Sequence, residues 1–305
     1  MLTPMRRLRA AAAALATLCA AALLHAQPVT PLRQAQDGAL QRGLEQVAQR
    51  LGLEPAVQGG RLSLALVDLS EPNRPRLAML NGDRMMYAAS LPKIAILLAA
   101  VAEAEAGRLP LDDAHRAAMA NMIRRSSNTD ATQVLHRVGG ERLLQILQAP
   151  RFAFYDRAEG GGLWVGKAYD STPAFRRDPL AKLSHAATAY QVARLYTALA
   201  TGQLFSPPYT ALMLEMLSRP AIAHKFVAGL AERPGAVLWR KSGTWQDTHA
   251  DSALVESDGR RFVMVAIAQS PDGGEWLRRL AVPLHDLVVP PRAMSTAIAT
   301  AVAPR

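Results

Sequence analysis

The sequence of 305 residues holds one cysteine, Cys19. It falls in an N-terminal stretch that reads as removable, and Leu18 precedes it where a lipoprotein signal would want a small residue. A mature chain without a thiol excludes disulfides, cysteine nucleophiles and cysteine-ligated metals together, and it suits an oxidising compartment. Metal-ligand spacing is also missing from the seven histidines. His249 and Asp251 share one face of a strand but have no evident third partner, so neither a metal nor another cofactor is expected. Aromatic residues make up only 5% of the chain and do not interleave with basic ones, which argues against nucleic-acid binding. Beyond residue 26 no apolar run is long enough to span a membrane. Leu91 to Val101 is interrupted by Lys93 and followed by Glu103 and Glu105, the pattern of a buried helix.

What is present begins with a secretory signature. Arg6, Arg7 and Arg9 form a basic start, Ala10 to Leu24 an apolar run, and Ala26 a small residue suited to cleavage. Residues 1–26 therefore read as a signal peptide and the mature chain as starting near Gln27, in the periplasm or secreted; an uncleaved N-terminal anchor is the alternative. Cleavage leaves 305 − 26 = 279 residues, enough for one large core or two smaller ones. The net charge of +10 falls to 10 − 3 = +7 without the signal arginines. A basic surface suits an anionic partner such as cell-wall polymer or lipid headgroups, or simply solvent.

Periodicity gives the organisation. Leu32 to Leu51 reads as an amphipathic helix, and strands follow at Arg61 to Leu69 and Arg76 to Leu80 across a turn at Glu71 to Pro75. From Ser90 to about Leu230 the chain is mostly helical, with segments at Pro92–Ala106, Asp112–Arg125, Thr129–Val138, Gly140–Leu147, Ala187–Thr201 and Pro208–Leu217. Strand character returns at Ala236–Ser242, Ala250–Glu256 and Arg261–Gln269, and a helix at Glu275–Val289, distorted at Pro283, closes the pattern. An α/β fold is expected: a five-stranded antiparallel sheet built from residues 27–89 and 231–291, flanked by helices, with an all-helical domain inserted at 90–230. Residues 292–305 read as a loose tail.

Three short patterns carry the chemistry. Ser90-Leu91-Pro92-Lys93 stands where a loop enters a helix, so one helical turn puts Ser90 and Lys93 on the same side; a lysine whose pKa is lowered by burial can take the serine proton. Ser126-Ser127-Asn128 ends a helix, and Lys241-Ser242-Gly243-Thr244 ends a strand. A lone Ser-x-x-Lys arises by chance in a chain this long, Ser126 and Asn128 are ordinary helix caps, and Lys241 alone is an ordinary strand residue. The three together, in this order, resemble the class A serine β-lactamases and their penicillin-binding relatives, which carry S-x-x-K, S-x-N and K-[ST]-G. The resemblance covers the whole mature chain. It implies that Ser90 is the acylated nucleophile and Lys93 its activating base, with the backbone N–H groups of Ser90 and Thr244 as the oxyanion hole. It further implies that Ser126 relays a proton to the leaving nitrogen and Asn128 binds the substrate's side-chain amide. Lys241, with the hydroxyls of Ser242 and Thr244, would hold the substrate carboxylate, and Gly243 would let substrate approach the strand edge.

The chain departs from that pattern in one place that matters. The family's E-x-x-L-N element, whose glutamate activates the deacylating water, is missing. Tyr155 to Asp178 offers instead Asp156, Glu159 and Asp170, of which Glu159 is the nearest substitute, although it is equally an ordinary solvated carboxylate beside Gly160, Gly161 and Gly162. Trp164 and Lys167 either shape the pocket wall or pin the loop, and His185 reads as structural. The stretch between Lys93 and Ser126 is several helical turns shorter than in class A enzymes, which should open one side of the cleft. The resulting expectation is a monomeric hydrolase that opens β-lactams through an acyl-enzyme on Ser90, with slow deacylation. The alternatives are a D,D-peptidase-like cell-wall amidohydrolase inhibited by β-lactams, or a catalytically poor binding module.

Overall fold

The computed structural model describes residues 31–290, so the expected signal peptide with Cys19 and the expected tail at 292–305 lie outside the described residues. Five strands, β1 (Leu62–Asp68), β2 (Arg76–Leu80), β3 (Val237–Trp245), β4 (Thr248–Ser257) and β5 (Arg260–Gln269), form one antiparallel sheet in the order β2-β1-β5-β4-β3. Eight helices of nine or more residues accompany it among the described residues: α1 (Gly38–Arg50), α2 (Lys93–Glu105), α3 (Asp113–Arg124), α4 (Asn128–Val138), α5 (Gly140–Gln148), α6 (Ala189–Ala200), α7 (Pro207–Leu217) and α8 (Gly273–Val288). None of the described helices is long and apolar enough to cross a membrane.

Alternation along the central strands divides the core between the two faces of the sheet. Leu62, Leu64 and Leu66 of β1 join Phe262 and Met264 of β5 against Leu40, Leu44 and Val47 of α1 and Leu277, Leu280 and Leu284 of α8. The intervening Ala65, Val67, Val263, Val265 and Ile267 face the other way, into the core of the remaining helices. The register pairs Leu62 with Ala268 and Asp68 with Phe262, so both strands present the same alternation to each side.

Helix α2 is buried from Lys93 to Ala104 on every side. Such a helix belongs at the centre of a core rather than on its surface. Lys93 is its first residue, so the packing that buries Ile94, Leu97 and Leu98 also takes the ammonium out of water.

Three departures from the expected elements have local causes. The helix expected over Leu32 to Leu51 is two pieces, a 3-10 turn at Leu32–Gln34 and α1. Asp37 caps α1 by accepting from the Leu40 N–H at 2.7 Å, while Gln36 bridges to Leu77, so the chain leaves the helical path to extend the edge of β2. Strand β3 runs on to Trp245 because its hairpin with β4 pairs Thr244 with His249, which places Lys241 to Thr244 within a strand at the sheet edge. A small sheet of Met86–Tyr87, His185–Ala187 and Trp164–Val165 went unforeseen, since two or three residues are too few to show alternation.

Candidate active site

Ser90 lies in the turn between the Met86–Tyr87 strand and α2. The turn is tied at both ends, by the Ala88 N–H to the His185 carbonyl and by the Leu91 N–H to the Ala88 carbonyl, each at 3.0 Å. Ala89 has φ +50°, a left-handed conformation that costs a non-glycine residue about 1–3 kcal/mol and survives only where its surroundings enforce it. Against this turn lies Gly243 of β3. A Cβ there would stand 2.3 Å from the Ala88 carbonyl oxygen and 2.9 Å from the Ser90 nitrogen. The glycine was expected for the sake of substrate approach. Its nearer cause is the backbone of the nucleophile turn, which sits where a side chain would be.

Beneath Ser90 two buried lysines meet at Ser126. Lys93 Nζ donates to the Ser126 carbonyl at 2.7 Å, to Asn128 Oδ1 at 2.6 Å and to the Ser127 carbonyl at 3.3 Å. Lys241 Nζ donates to Ser126 Oγ at 2.9 Å and to its neighbour's carbonyl at Ser242. Desolvation lowers the Lys93 pKa to about 7, partly opposed by Asp130, so a large fraction of this amine is neutral near pH 7. Burial, the Lys93 charge and Arg240 push Lys241 well below the usual lysine range. Ser126, at φ +59°, is held in a left-handed conformation between them. Capping of α4 falls to Ser127, whose Oγ accepts from the Asp130 N–H at 3.2 Å. The alternative in which Ser126 and Asn128 are mere caps is therefore corrected: α4 begins at Asn128 itself, and both flanking side chains point to lysines.

At the strand edge Thr244 Oγ1 accepts from Lys225 Nζ at 2.8 Å. Lys225, buried and at φ +53°, also donates to the carbonyls of Gly243 at 2.6 Å and Ala250 at 3.2 Å. Its conformation is held through its neighbour, because the Phe226 N–H donates to Asp251 Oδ2 at 3.1 Å and Asp251 is in turn fixed by Arg240 at 2.7 Å. The Asp251 carboxylate is thus committed to an ion pair. Ser242, opposite Asp251 in the β3–β4 register, is buried.

Ser90, Asn128 and Thr244 line one cleft of about 320 Å³, whose other walls include Tyr87, Lys167, Tyr169, Asp170, His185 and Trp245. Lys167, Tyr169 and Asp170 come from the loop at 166–184, which is internally braced. Buried Asp178 accepts from the N–H groups of Leu180, Ala181 and Leu183, Trp164 Nε1 donates to the Arg176 carbonyl at 3.0 Å, and the Arg176 N–H donates to the Gly166 carbonyl. Trp164 therefore pins the loop, and Lys167 shapes the wall. His185 Nε2 contacts the Lys167 carbonyl at 2.9 Å, and burial lowers its pKa to about 4, so it is a neutral structural group of the wall.

Glu159 is the site residue that the structure removes. Its Oε2 accepts from Arg33 Nη2 at 2.5 Å, and the same guanidinium grips Asp83 at 2.8 Å, outside the residues that line the cleft. The Gly160–Gly162 segment allows this approach: Gly160 is at φ +78°, and a Cβ there would lie 2.7 Å from the Asp83 carbonyl oxygen. Asp170 is the carboxylate that lines the cleft beside Ser90, but its Oδ1 already accepts from the Thr172 N–H and hydroxyl. Lys225, Tyr169 and Trp245 had no signal in the sequence: each stands alone, and only the fold brings Tyr169 and Trp245 to the cleft and Lys225 behind Thr244.

With this geometry in place, the sequence matches the family described as "Beta-lactamase enzyme family" (Beta-lactamase2) over residues 43–118 and 115–286. The chain belongs to the β-lactamase enzyme family. It is accordingly an enzyme, a hydrolase that acts on β-lactams at the level of that family. None of the curated proteins matches it. Solved structures share its fold. PBP-A is 20% identical with a TM-score of 0.61, over 85% of this chain and 97% of its own. A β-lactamase from Sphaerobacter thermophilus is 16% identical with a TM-score of 0.63, over 81% and 96%. A class A representative from Bacteroides cellulosilyticus is 12% identical with a TM-score of 0.62, over 83% and 98%.

Proposed function

We propose that this member of the family opens the β-lactam amide by acyl transfer to Ser90 and releases the product slowly. The observation that carries the reading is Ser126, whose carbonyl takes Lys93 and whose hydroxyl takes Lys241, next to the turn that presents Ser90. Neutral Lys93 removes the Ser90 proton, and Oγ attacks the lactam carbonyl while the N–H groups of Ser90 and Thr244 receive the oxyanion. The carbon–nitrogen bond then breaks. Its nitrogen takes the Ser126 proton, which the flanking lysines replace. Asn128 receives the acyl side-chain amide, and Lys241, Ser242 and Thr244 the substrate carboxylate, with Lys225 behind Thr244 adding positive charge.

Slow release follows from the loop. Glu159 is engaged by Arg33, and Asp170 by Thr172 through one of its oxygens, so neither is a dedicated base for the attacking water. The same feature favours the second reading, a D,D-peptidase-like cell-wall amidohydrolase for which β-lactams are inhibitors. Cleavage of a peptide ending in D-Ala-D-Ala separates the two, and a role in resistance requires the first. Export to the periplasm with cleavage near Gln27 belongs to the same proposal and rests on the N-terminal signature, and a monomeric state is part of it as well. The test is mass spectrometry of the intact protein with benzylpenicillin. One whole penicillin is expected on Ser90, and Ser90→Ala should abolish it. An adduct that survives Ser90→Ala, or maps to another residue, would sink the reading.

A further inference from the structure

Tyr169 touches the acylating machinery at two points. Its ring centroid lies 4.4 Å from Lys93 Nζ, the amine that also donates to the Ser126, Ser127 and Asn128 oxygens. Its hydroxyl donates to the Ala89 carbonyl at 3.2 Å, the carbonyl of the residue held at φ +50° immediately before Ser90. Tyr169 is itself held from outside its loop: its N–H donates to Thr132 Oγ1 of α4 at 3.1 Å, and the His185 ring packs 4.2 Å from its own. One side chain thus spans the nucleophile's turn and the base, from a loop that carries none of the three motifs.

We propose that Tyr169 is a positioning residue of the acylation step, its ring holding the Lys93 side chain against the Ser126–Asn128 turn and its hydroxyl holding the strained peptide that presents Ser90. The inference rests on the assignment of Ser90 and Lys93 made above. An aromatic face attracts a cation, most strongly when the cation is desolvated, and so favours the protonated form of Lys93. The other groups facing that amine are Asp130 of α4, which favours the same form, and Lys241 of β3 and His185. His185 is neutral across the working range, with its pKa lowered to about 4, so the neighbours that bear on the Lys93 charge are Asp130 and Lys241. The hydroxyl has a different task. Ala89 has no side chain able to stabilise a left-handed backbone, and the bond from Tyr169 gives its carbonyl a fixed partner.

The two contacts separate experimentally. The second-order rate of acylation by a fluorescent penicillin is measured from pH 5 to pH 10 in the full chain, in Tyr169→Phe and in Tyr169→Leu. The phenylalanine variant keeps the ring and loses the bond to Ala89. Its pH midpoint should stay with the wild type while its plateau rate falls roughly 2- to 10-fold, the worth of one hydrogen bond. The leucine variant stays apolar and loses the aromatic face. Its midpoint should fall by about half to one and a half pH units, the worth of a desolvated cation–π contact, with a plateau no higher than that of phenylalanine. A residue that only fills space would move neither midpoint. An unmoved or raised midpoint in the leucine variant overturns the role given to the ring, and an unreduced plateau in the phenylalanine variant overturns the role given to the hydroxyl. Should leucine not fold, Tyr169→Met, apolar and unbranched, replaces it for the midpoint and decides the role of the ring by the same criterion, while the phenylalanine plateau decides that of the hydroxyl. Failure here is distinct from failure of the broader reading: in the first case the wild type still labels on Ser90, in the second it does not.

Discussion

The cleft has two sides of different construction. On one, Lys93 opens a helix buried all round, Lys241 and Gly243 lie on the edge strand of the main sheet, and Ser126 joins the two lysines through separate oxygens. On the other, a loop of short strands and turns supplies Lys167, Tyr169 and Asp170, and its nearest glutamate, Glu159, faces Arg33. On the proposed mechanism, the groups that break the lactam bond are fixed mainly by the core, with Tyr169 reaching them from the loop, whereas the carboxylates that would help release the acyl product lie on the loop side. Acylation would then persist in this fold while the loop sets how long the acyl-enzyme lives.

The firmest way to break this contrast is Lys93→Ala. Loss of a positioned general base should slow acylation by roughly 10²-fold or more. Time-resolved labelling with penicillin measures it, and a variant that acylates at the wild-type rate would show that proton removal from Ser90 does not depend on the buried side. Gly243→Ala tests the rigidity of the same side. The added methyl must displace the Ala88 carbonyl, 2.3 Å away, and with it the Ser90 turn. Overpacking of this kind costs about 1–3 kcal/mol, and with the nucleophile displaced acylation should drop about tenfold or more. Unchanged kinetics with an unchanged melting temperature would mean that the turn is softer than its contacts imply.

Legibility in the sequence followed the same division. Helix α2 and strands β1 and β5 carry long apolar patterns, so the main sheet and the elements bearing Ser90, Lys93 and Lys241 were readable from periodicity and three short motifs. The loop was not. Its strands have two or three residues, its braces are a buried aspartate, Asp178, and the bonds that tie Arg176 to Trp164 and Gly166, and its aromatic contact with Lys93 spans 76 positions, from 93 to 169. Composition around Gly160 placed Glu159 in a loop but said nothing of the direction its carboxylate would take, because the partner, Arg33, lies in an N-terminal turn that read as part of one long helix. Lys225 escaped for a similar reason: its approach to Thr244 depends on the buried Arg240–Asp251 pair, which no local pattern announces.

Titration sharpens the account of the buried side. Lys93 accepts a proton only when neutral, and its pKa is lowered to about 7. Acylation should therefore rise with pH, reach half its maximum near pH 7, and at pH 6 stand roughly tenfold below the plateau. A flat profile from pH 5 to pH 9 would remove Lys93 from the rate equation. Stability should move in the same direction. Lys93 and Lys225, the latter at about 8, have folded pKa values below the ordinary 10.5, so between those values the unfolded chain binds more protons. Their contribution to stability therefore grows as pH rises through that window. A melting temperature that falls steadily from pH 7 to pH 9 would contradict it.

The smallest effect is expected on the loop side, at the residue that the sequence favoured. Were Glu159 the base for the deacylating water, Glu159→Gln should lengthen the acyl-enzyme lifetime by 10²- to 10⁴-fold, the scale of a lost general base. The geometry gives the opposite expectation. Its carboxylate bonds to Arg33, 47% of its side chain is exposed, and it does not line the cleft. Removing one partner of a half-exposed ion pair costs about 0–1 kcal/mol, here reduced further because Arg33 keeps Asp83. Glu159→Gln should thus lower the melting temperature by a few degrees at most and leave the decay of the penicillin adduct unchanged. Asp170→Asn supplies the contrast, since Asp170 does line the cleft, and slowing of decay there with none at Glu159 would locate whatever help the water receives. A lifetime extended a hundredfold by Glu159→Gln would mean that the loop swings its glutamate from Arg33 to Ser90 after acylation. The separation between the two sides of the cleft would then hold only for the resting enzyme.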